Sequence, residues 1–226
     1  MKLVVGTRGS NLALVQTNWV VDQLKKENPG VEFEVKIIKT KGDLIKDLPL
    51  DKIGDKGLFV KEIEKSLLDG EIDMAVHSMK DMPSYLPEGL KFAHSPKRED
   101  PRDALIFKEG YKSLDDLPQG ARIGTGSKRR KYQLLKHRPD LEIVPIRGNI
   151  ETRIKKIETE KLDGVVLAAS GLRRAGLDDK IDYYIPTDIM LPAPAQGILA
   201  LEIREDDKET EKIIDSIKDD ITKIQI

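Results

Sequence analysis

The chain has 226 residues, is 38% hydrophobic and 35% charged, and carries a formal net charge of −1, which allows one large or two small domains. No stretch approaches the roughly 20 consecutive apolar residues of a membrane span. Cysteine is absent, which excludes disulfides, thiolate metal sites and a thiol nucleophile.

The first residues, Met1 to Arg8, read as a strand running into a charged turn rather than a signal peptide, so a cytoplasmic location is expected. Leu3 to Gly6 is the buried part of that strand. Ser10 can cap a helix whose apolar positions Leu12, Val15, Trp19, Val20 and Leu24 recur at helical spacing, and this spacing places Trp19 in the core. Asn28-Pro29-Gly30 ends the helix, and Val31, Phe33, Val35 and Ile37 alternate as a half-buried strand. Residues 41–56, with Gly42, Pro49 and Gly54, read as irregular and mobile. Leu58 to Leu68 is an amphipathic helix closed by Gly70. A short apolar strand follows at Met74 to Val76, then a polar turn, His77-Ser78-Met79-Lys80-Asp81, stopped at Pro83. Strand, helix, strand, helix, strand implies a parallel sheet with helical crossovers.

Pro87, Pro96 and Pro101 mark a crossover into a second unit. There the expected strands are Ala104 to Phe107, Arg122 to Gly124, Glu142 to Ile146 and Gly164 to Ala169. The expected helices are Arg129 to Lys136 and Asn149 to Glu160. Ile198 to Ile203 is a last strand, followed by a helix bearing Ile213, Ile214 and Ile217. Charge is uneven. Ala121 to Pro139 holds seven Lys or Arg and no acid, which suggests an anionic ligand. Glu202 to Asp220 holds nine acids and four bases, and reads as a solvated helix face. His77, His94 and His137 are far apart in sequence and show no metal-ligand spacing, so no metal is expected.

Two kinds of residue carry chemistry. In open α/β sheets ligands sit just beyond the carboxyl ends of strands. Lys80 and Asp81 stand at such an end, where a lysine keeps its neighbour ionised and an aspartate can face a developing cation. Taken alone, that dipeptide is better explained as a plain surface turn with an Asx hydrogen bond. Five arginine-bearing turns follow expected strands: Arg8, Arg129-Arg130, Arg147, Arg153 one turn into its helix, and Arg173-Arg174. A guanidinium grips a carboxylate through two parallel N–H bonds, so these arginines suit a ligand with several carboxylates. Gly124-Thr125-Gly126-Ser127 can present N–H groups and hydroxyls at a helix N-terminus, where anions bind, whereas Lys128 and Lys131 read as solvated charges.

The run Asp73 to Pro83 closely resembles the active-site segment of the porphobilinogen deaminase (hydroxymethylbilane synthase) family. Thr7 to Gln16, Gly54 to Glu62, Ile123 to Arg130, Arg147 to Arg153 and Pro194 to Gly197 resemble further motifs in family order, over residues 1 to about 205. The resemblance implies an α/β fold of two periplasmic-binding-protein-like (type II) lobes with mixed, mostly parallel sheets and a cleft between them. Lobe one is expected at 1–97 plus 196–226 and lobe two at 98–195, with the family's third, cofactor-cysteine domain absent. It assigns catalysis to Asp81 and Lys80. Substrate and cofactor contacts fall to Arg8, Ser10, Lys56, Phe59, Ser78, Thr125, Gly126, Ser127, Arg129, Arg130, Arg147, Gly148, Arg153, Arg174 and Gln196. A helix start and a core aromatic are the plain alternatives for Lys56 and Phe59, and caps and turns those for Ser10, Thr125, Ser127 and Gln196, fitting Ser10 almost as well.

The function implied is a transferase that condenses porphobilinogen into hydroxymethylbilane for tetrapyrrole (haem) biosynthesis. Ammonia leaves porphobilinogen to give a cationic azafulvene, a pyrrole attacks it, and a proton leaves the new link. The family primes synthesis on dipyrromethane joined to a cysteine. Without one, any dipyrromethane is expected to be held non-covalently by its carboxylates. Porphobilinogen and the growing pyrrole chain are the expected partners, with no nucleic acid or membrane, and a monomer is expected. The competing reading is a two-lobed, non-catalytic binding protein for a polycarboxylated pyrrole or another anion. Nucleic-acid binding through 121–139 finds little support, because Tyr132 is its one aromatic for base stacking.

Overall fold

In the computed structural model, which describes residues 1–44 and 60–225, the strands form two five-stranded sheets, one in each of two units. The first unit comprises Met1–Arg98 and Ile198–Ile226. Its elements are β1 (Lys2–Arg8), α1 (Asn11–Glu27), β2 (Glu32–Ile38), α2 (Lys41–Leu44), α3 (Lys61–Leu68), β3 (Met74–Ser78) and β4 (Leu90–Phe92). The chain returns later as β10 (Leu199–Arg204), α7 (Lys208–Ile214) and α8 (Asp220–Ile224). The sheet order is β2-β1-β3-β10-β4. β1 pairs in parallel with β2 and β3, and β10 pairs antiparallel with β3 and β4.

Period-two alternation gives this sheet two buried faces. Met74 and Val76 of β3, with Leu199, Leu201 and Ile203 of β10, pack on Val20, Val21 and Leu24 of α1 and Ile213 and Ile214 of α7. On the other face Ala75 packs with Ile63 and Leu67 of α3, Ile72 and Leu90. Full burial of such a side chain contributes about 1.5–3 kcal/mol, which makes these layers the main support of β3 and its turn.

The second unit is Glu99–Gly197. It contains β5 (Asp103–Phe107), β6 (Arg122–Gly124), α4 (Lys128–His137), β7 (Glu142–Val144), α5 (Ile150–Thr159), β8 (Gly164–Ala168), α6 (Ala169–Arg174) and β9 (Tyr183–Tyr184). The order is β7-β6-β8-β5-β9, the same arrangement as in the first unit with β6 in the place of β1. One core layer holds Leu105, Ile123, Leu134 and Val166, and the other Ala104, Ile157, Val165 and Leu172. Helix starts follow side-chain caps: the oxygens of Ser10, Ser127 and Asn149 accept from the N–H of Ala13, Arg130 and Thr152.

The sheets are mixed and mostly parallel, as expected: in each, only the fourth strand of the order runs against the other four. Several other expectations are corrected. Trp19 is 37% exposed. The buried stripe of α1 runs through Gln16, Thr17, Val20, Val21 and Leu24, and Trp19 lies off it. Ile37 is exposed while Ile38 is buried, since β2 is an edge strand that shifts its buried face near its end. Residues 41–44 are helical, and the rest of the stretch expected to be a loop lies outside the described residues. Gln196 and Gly197 fall in the second unit rather than with the returning strand.

Candidate active-site residues

In the first unit β1 ends at Arg8, which is half-buried. Ser10 caps α1 with its Oγ 3.4 Å from the Ala13 N–H. Two hydrogen bonds fix α1 to the strand ends. Thr17 Oγ1 donates to Thr7 Oγ1 at 2.8 Å, and Ser78 Oγ donates to Gln16 Oε1 at 3.3 Å. After Ser78 the chain tightens into a single 3-10 turn, Met79–Asp81. The Met79 N–H bonds the Ile198 carbonyl at 3.0 Å, the Met82 N–H closes the turn on the Met79 carbonyl at 3.1 Å, and the Met79 side chain is buried. Lys80 and Asp81 are left exposed on a turn whose backbone is held from both sides. Asp81 borders a cavity that Glu64 of α3, Pro83 and Tyr85 also line.

In the second unit one carboxylate gathers three of the expected residues. Asp103, the first residue of β5, is fully buried. Its Oδ2 accepts from Arg129 Nη1 at 2.7 Å. Its Oδ1 accepts from Arg130 Nε and from Gln196 Nε2, each at 3.0 Å. Burial alone would raise the Asp103 pKa, but the Arg130 charge and the bonds from Arg129 and Gln196 outweigh it, so the carboxyl titrates below its ordinary range. Arg130 also donates to the Val166 carbonyl at 2.9 Å and is itself buried, so the carboxylate it meets here is the protein's own. Arg129 keeps a quarter-exposed side chain (26%) at the start of α4.

The remaining expected residues sit around this cluster or at neighbouring strand ends. Thr125 is buried, and its Oγ1 accepts from the Ser127 N–H at 3.2 Å. Gly126 lies so close to β7's exit that a Cβ there would stand 2.7 Å from the Ile146 carbonyl oxygen. Gly148 adopts φ +118°, a region open to glycine. Its carbonyl accepts from Arg153 Nε at 2.7 Å. Arg147 is half-buried, and Lys128 and Lys131 are exposed. Arg174 donates to the Gly197 carbonyl at 2.7 Å, and burial pushes its guanidinium pKa down to about 10 despite the nearby Glu99 charge. Ala195, just before Gln196, holds φ +55°, a left-handed conformation that a non-glycine residue adopts at a cost. Lys56 and Phe59 lie outside the described residues.

Three buried acids, Glu64, Asp103 and Glu202, escaped the sequence reading. Asp103 was hidden by its exposed-looking neighbours Arg102 and Glu99, although a polar residue opening a wholly apolar strand is a signal. Glu202 belongs to β10 rather than to a solvated helix face, and is fully buried. Much of the basic stretch 121–139 is spent internally: Arg122 pairs with Glu142 and Arg138 with Asp140, besides the two arginines on Asp103. Among the described residues no cluster of His, Asp and Glu could hold a metal ion, and no helix is long and apolar enough to cross a membrane.

Residues 3–212 match the sequence profile of the porphobilinogen deaminase, dipyromethane cofactor binding domain. The chain belongs to the porphobilinogen deaminase family. It is 70% identical over 226 residues to porphobilinogen deaminase of Clostridioides difficile (strain 630), covering all of this chain and 75% of that protein. It is 64% identical to the Clostridium novyi (strain NT) enzyme, covering all of this chain and 76% of that one. The fold resembles that of type II periplasmic binding proteins. The "probable amino-acid ABC transporter extracellular-binding protein" ytmK from Bacillus subtilis superposes with a TM-score of 0.58 at 12% identity, over 99% of this chain and 91% of that one. The BvgS VFT2 domain of Bordetella pertussis gives 0.53 at 16% identity, over 96% and 85%. At such identities the likeness is one of fold alone.

Proposed function

We propose that this protein condenses porphobilinogen units into hydroxymethylbilane in tetrapyrrole biosynthesis. The observation that carries the reading is the match of the whole of this chain to three quarters of a porphobilinogen deaminase at 70% identity, together with an exposed Asp81 on a turn pinned at Met79 and Met82. Loss of ammonia from porphobilinogen leaves a cationic azafulvene. The Asp81 carboxylate offsets that charge near the pyrrole N–H and takes part in removing the proton after the next pyrrole attacks. Lys80 beside it supplies a cation for Asp81 and for substrate carboxylates. In the second unit, Arg129, Arg147, Arg153 and Arg174, with Thr125, Gly126, Gly148 and Ser127, are assigned to the acetate and propionate arms. Arg130 and Gln196 act through Asp103, which fixes Arg129.

Dipyrromethane fits the cationic donor set but finds no cysteine for a thioether. When bound it supplies the free pyrrole position to which the first substrate unit is joined. Ser127, Arg129 and Arg153, all in the second unit, are the residues proposed to hold its carboxylates, without a covalent bond. Charge-assisted hydrogen bonds contribute about 1.5–3 kcal/mol each before ordering costs, so a few of them suffice for reversible binding.

The test is absorbance detection of bilane formed from porphobilinogen by the purified chain, alongside mass spectrometry. Time-dependent bilane formation is expected, with a bare polypeptide of 25.4 kDa after denaturation and a pyrrole adduct only under native conditions. Porphobilinogen binding without any bilane would favour a non-catalytic binding protein, and an adduct that survives denaturation would overturn non-covalent attachment.

A further inference from the structure

Behind the Lys80–Asp81 turn lies an acidic cluster that the proposed chemistry does not use. His77 follows Val76 on β3, and the strand's alternation turns it away from the α1 layer toward α3. β10 runs antiparallel beside β3 with Ala200 opposite His77, so Glu202, two residues on, is its diagonal neighbour on the same face. The contact is direct: His77 Nε2 stands 3.0 Å from Glu202 Oε2, with the two side chains 5% and 0% exposed. The α3 helix packs on this face through Ile63 and Leu67, and its Glu64 is only 7% exposed. Among the described residues the second oxygen of each acid, Glu64 Oε1 and Glu202 Oε1, is buried and has no hydrogen-bond donor.

Two buried carboxylates, of which Glu202 alone meets the imidazole, leave an excess of negative charge and two unsatisfied acceptors. Either fault alone costs more than about 1 kcal/mol in a dry interior. A single proton corrects both. We propose that Glu64 holds a proton at neutral pH and donates it to Glu202, which also binds the His77 imidazole. The resulting carboxyl–carboxylate–imidazole chain ties α3 to the β3–β10 pair just before the turn that presents Lys80 and Asp81. The proton sits on Glu64 and the negative charge stays on Glu202, balanced by the N–H of His77.

The electrostatic surroundings agree. Burial, then the Glu202 charge, raises the Glu64 pKa above its ordinary value, while His77 and Lys61 oppose that rise without cancelling it. Lys61 of α3 and Asp81 line the same cavity as Glu64, and further charged groups on the packed elements have partners of their own. Arg204 of β10 donates to the Leu67 and Ile72 carbonyls and pairs with Asp73 and Asp207. Lys91 of β4 pairs with Glu211. Glu62 of α3 accepts from the Lys41 backbone N–H. Because the folded-state pKa of Glu64 is raised, the stability this proton contributes is complete at low pH. It is lost as pH rises from the unfolded value through the folded one.

The inference stands whether or not the chain turns over, so its test uses no activity. Infrared difference spectra across a pH titration are expected to show a protonated carboxyl stretch at neutral pH, absent from Glu64→Gln. The glutamine can still donate to Glu202, so Glu64→Gln is expected to fold and to gain melting temperature over the parent as pH rises from about 5 to about 9. Glu202→Gln removes the neighbouring charge and is expected to move the carboxyl signal to lower pH. A parent protein without a protonated carboxyl at neutral pH would overturn the proposal, as would Glu64→Gln losing the same stability at every pH. Should Glu64→Gln fail to fold, the parent spectrum and the Glu202→Gln titration decide.

Discussion

The two units repeat one strand order, yet they neutralise buried charge in opposite ways. In the second, the buried Asp103 is met by two arginines and a glutamine, so cations outnumber the anion and the carboxyl is held ionised. In the first, Glu202 meets a histidine and the buried Glu64 has no paired cation at its unsatisfied oxygen among the described residues, and burial with the Glu202 charge biases the Glu64 carboxyl toward its protonated form. The same backbone frame therefore supports an interior that demands ionised acid and one that favours a neutral acid. The difference lies in single residues, Asp103 at a strand start, Glu202 at a strand centre and Glu64 on a helix, not in topology. It also separates roles: Arg130 is a buried strut for Arg129, whereas Lys80 and Asp81 are left at the surface on a rigid turn.

The largest way to break the contrast is at Asp103. Asp103→Asn removes the charge and leaves Arg129 and Arg130 near each other without a counter-ion. Breaking one partner of a buried pair costs about 3–5 kcal/mol. Denaturant unfolding should show a loss of that order, and a loss below about 1 kcal/mol would mean that solvent already screens the pair.

The arginines should grade by burial. Arg130→Leu strands part of Asp103 and should cost at least about 2 kcal/mol of stability. Arg129→Leu should cost less stability yet weaken porphobilinogen binding more than Lys128→Leu or Lys131→Leu. Those lysines are solvated charges worth about 0–1 kcal/mol. Equal binding losses across Arg129, Lys128 and Lys131 would point to a diffuse basic patch.

The pH response should carry opposite signs in the two units. Asp103 has a lowered pKa, so its contribution is present above the ordinary carboxylate range and lost as pH falls through the folded value. Glu64 has a raised pKa, so its contribution fades as pH rises. Hydrogen exchange should therefore show protection in β5 and β8 failing first on acidification and protection in α3 weakening first on the alkaline side. A common response of both units to pH would contradict this.

The smallest expected effect is at Ala195. Glycine there relieves the left-handed backbone but adds freedom to the unfolded chain, so Ala195→Gly should change stability by less than about 1 kcal/mol. A loss above about 2 kcal/mol would show that the Ala195 methyl packs against something that matters more than its strain.

The apolar runs and caps were legible in the sequence because each uses local physics. Gly164 to Ala168 is apolar throughout, and Ser10, Ser127 and Asn149 stand one residue before their helices. β4 and β9 were not legible: three and two residues are too short to show alternation, and they exist through pairing with distant β10 and β5. Trp19 misled because helical spacing defines a stripe but not which edge of it faces the sheet. At the site, motif resemblance located Asp81 and the arginines. It could not say that Arg129, Arg130 and Gln196 share a partner 26 to 93 residues away in sequence, Asp103. Glu202 hid behind the acidic residues that follow it, although its place in Leu199-Ala200-Leu201-Glu202-Ile203 is that of a strand centre.

The most direct measurement compares Asp81→Asn with Asp103→Asn on the same preparations, reading bilane formation and unfolding free energy together. Asp81→Asn should lose more than tenfold in turnover, over about 1.4 kcal/mol of barrier, while its stability stays within about 0.5 kcal/mol of the parent. Asp103→Asn should lose stability first. If Asp81→Asn keeps more than about a tenth of parental turnover, the exposed carboxylate on the pinned turn does not stabilise the cation.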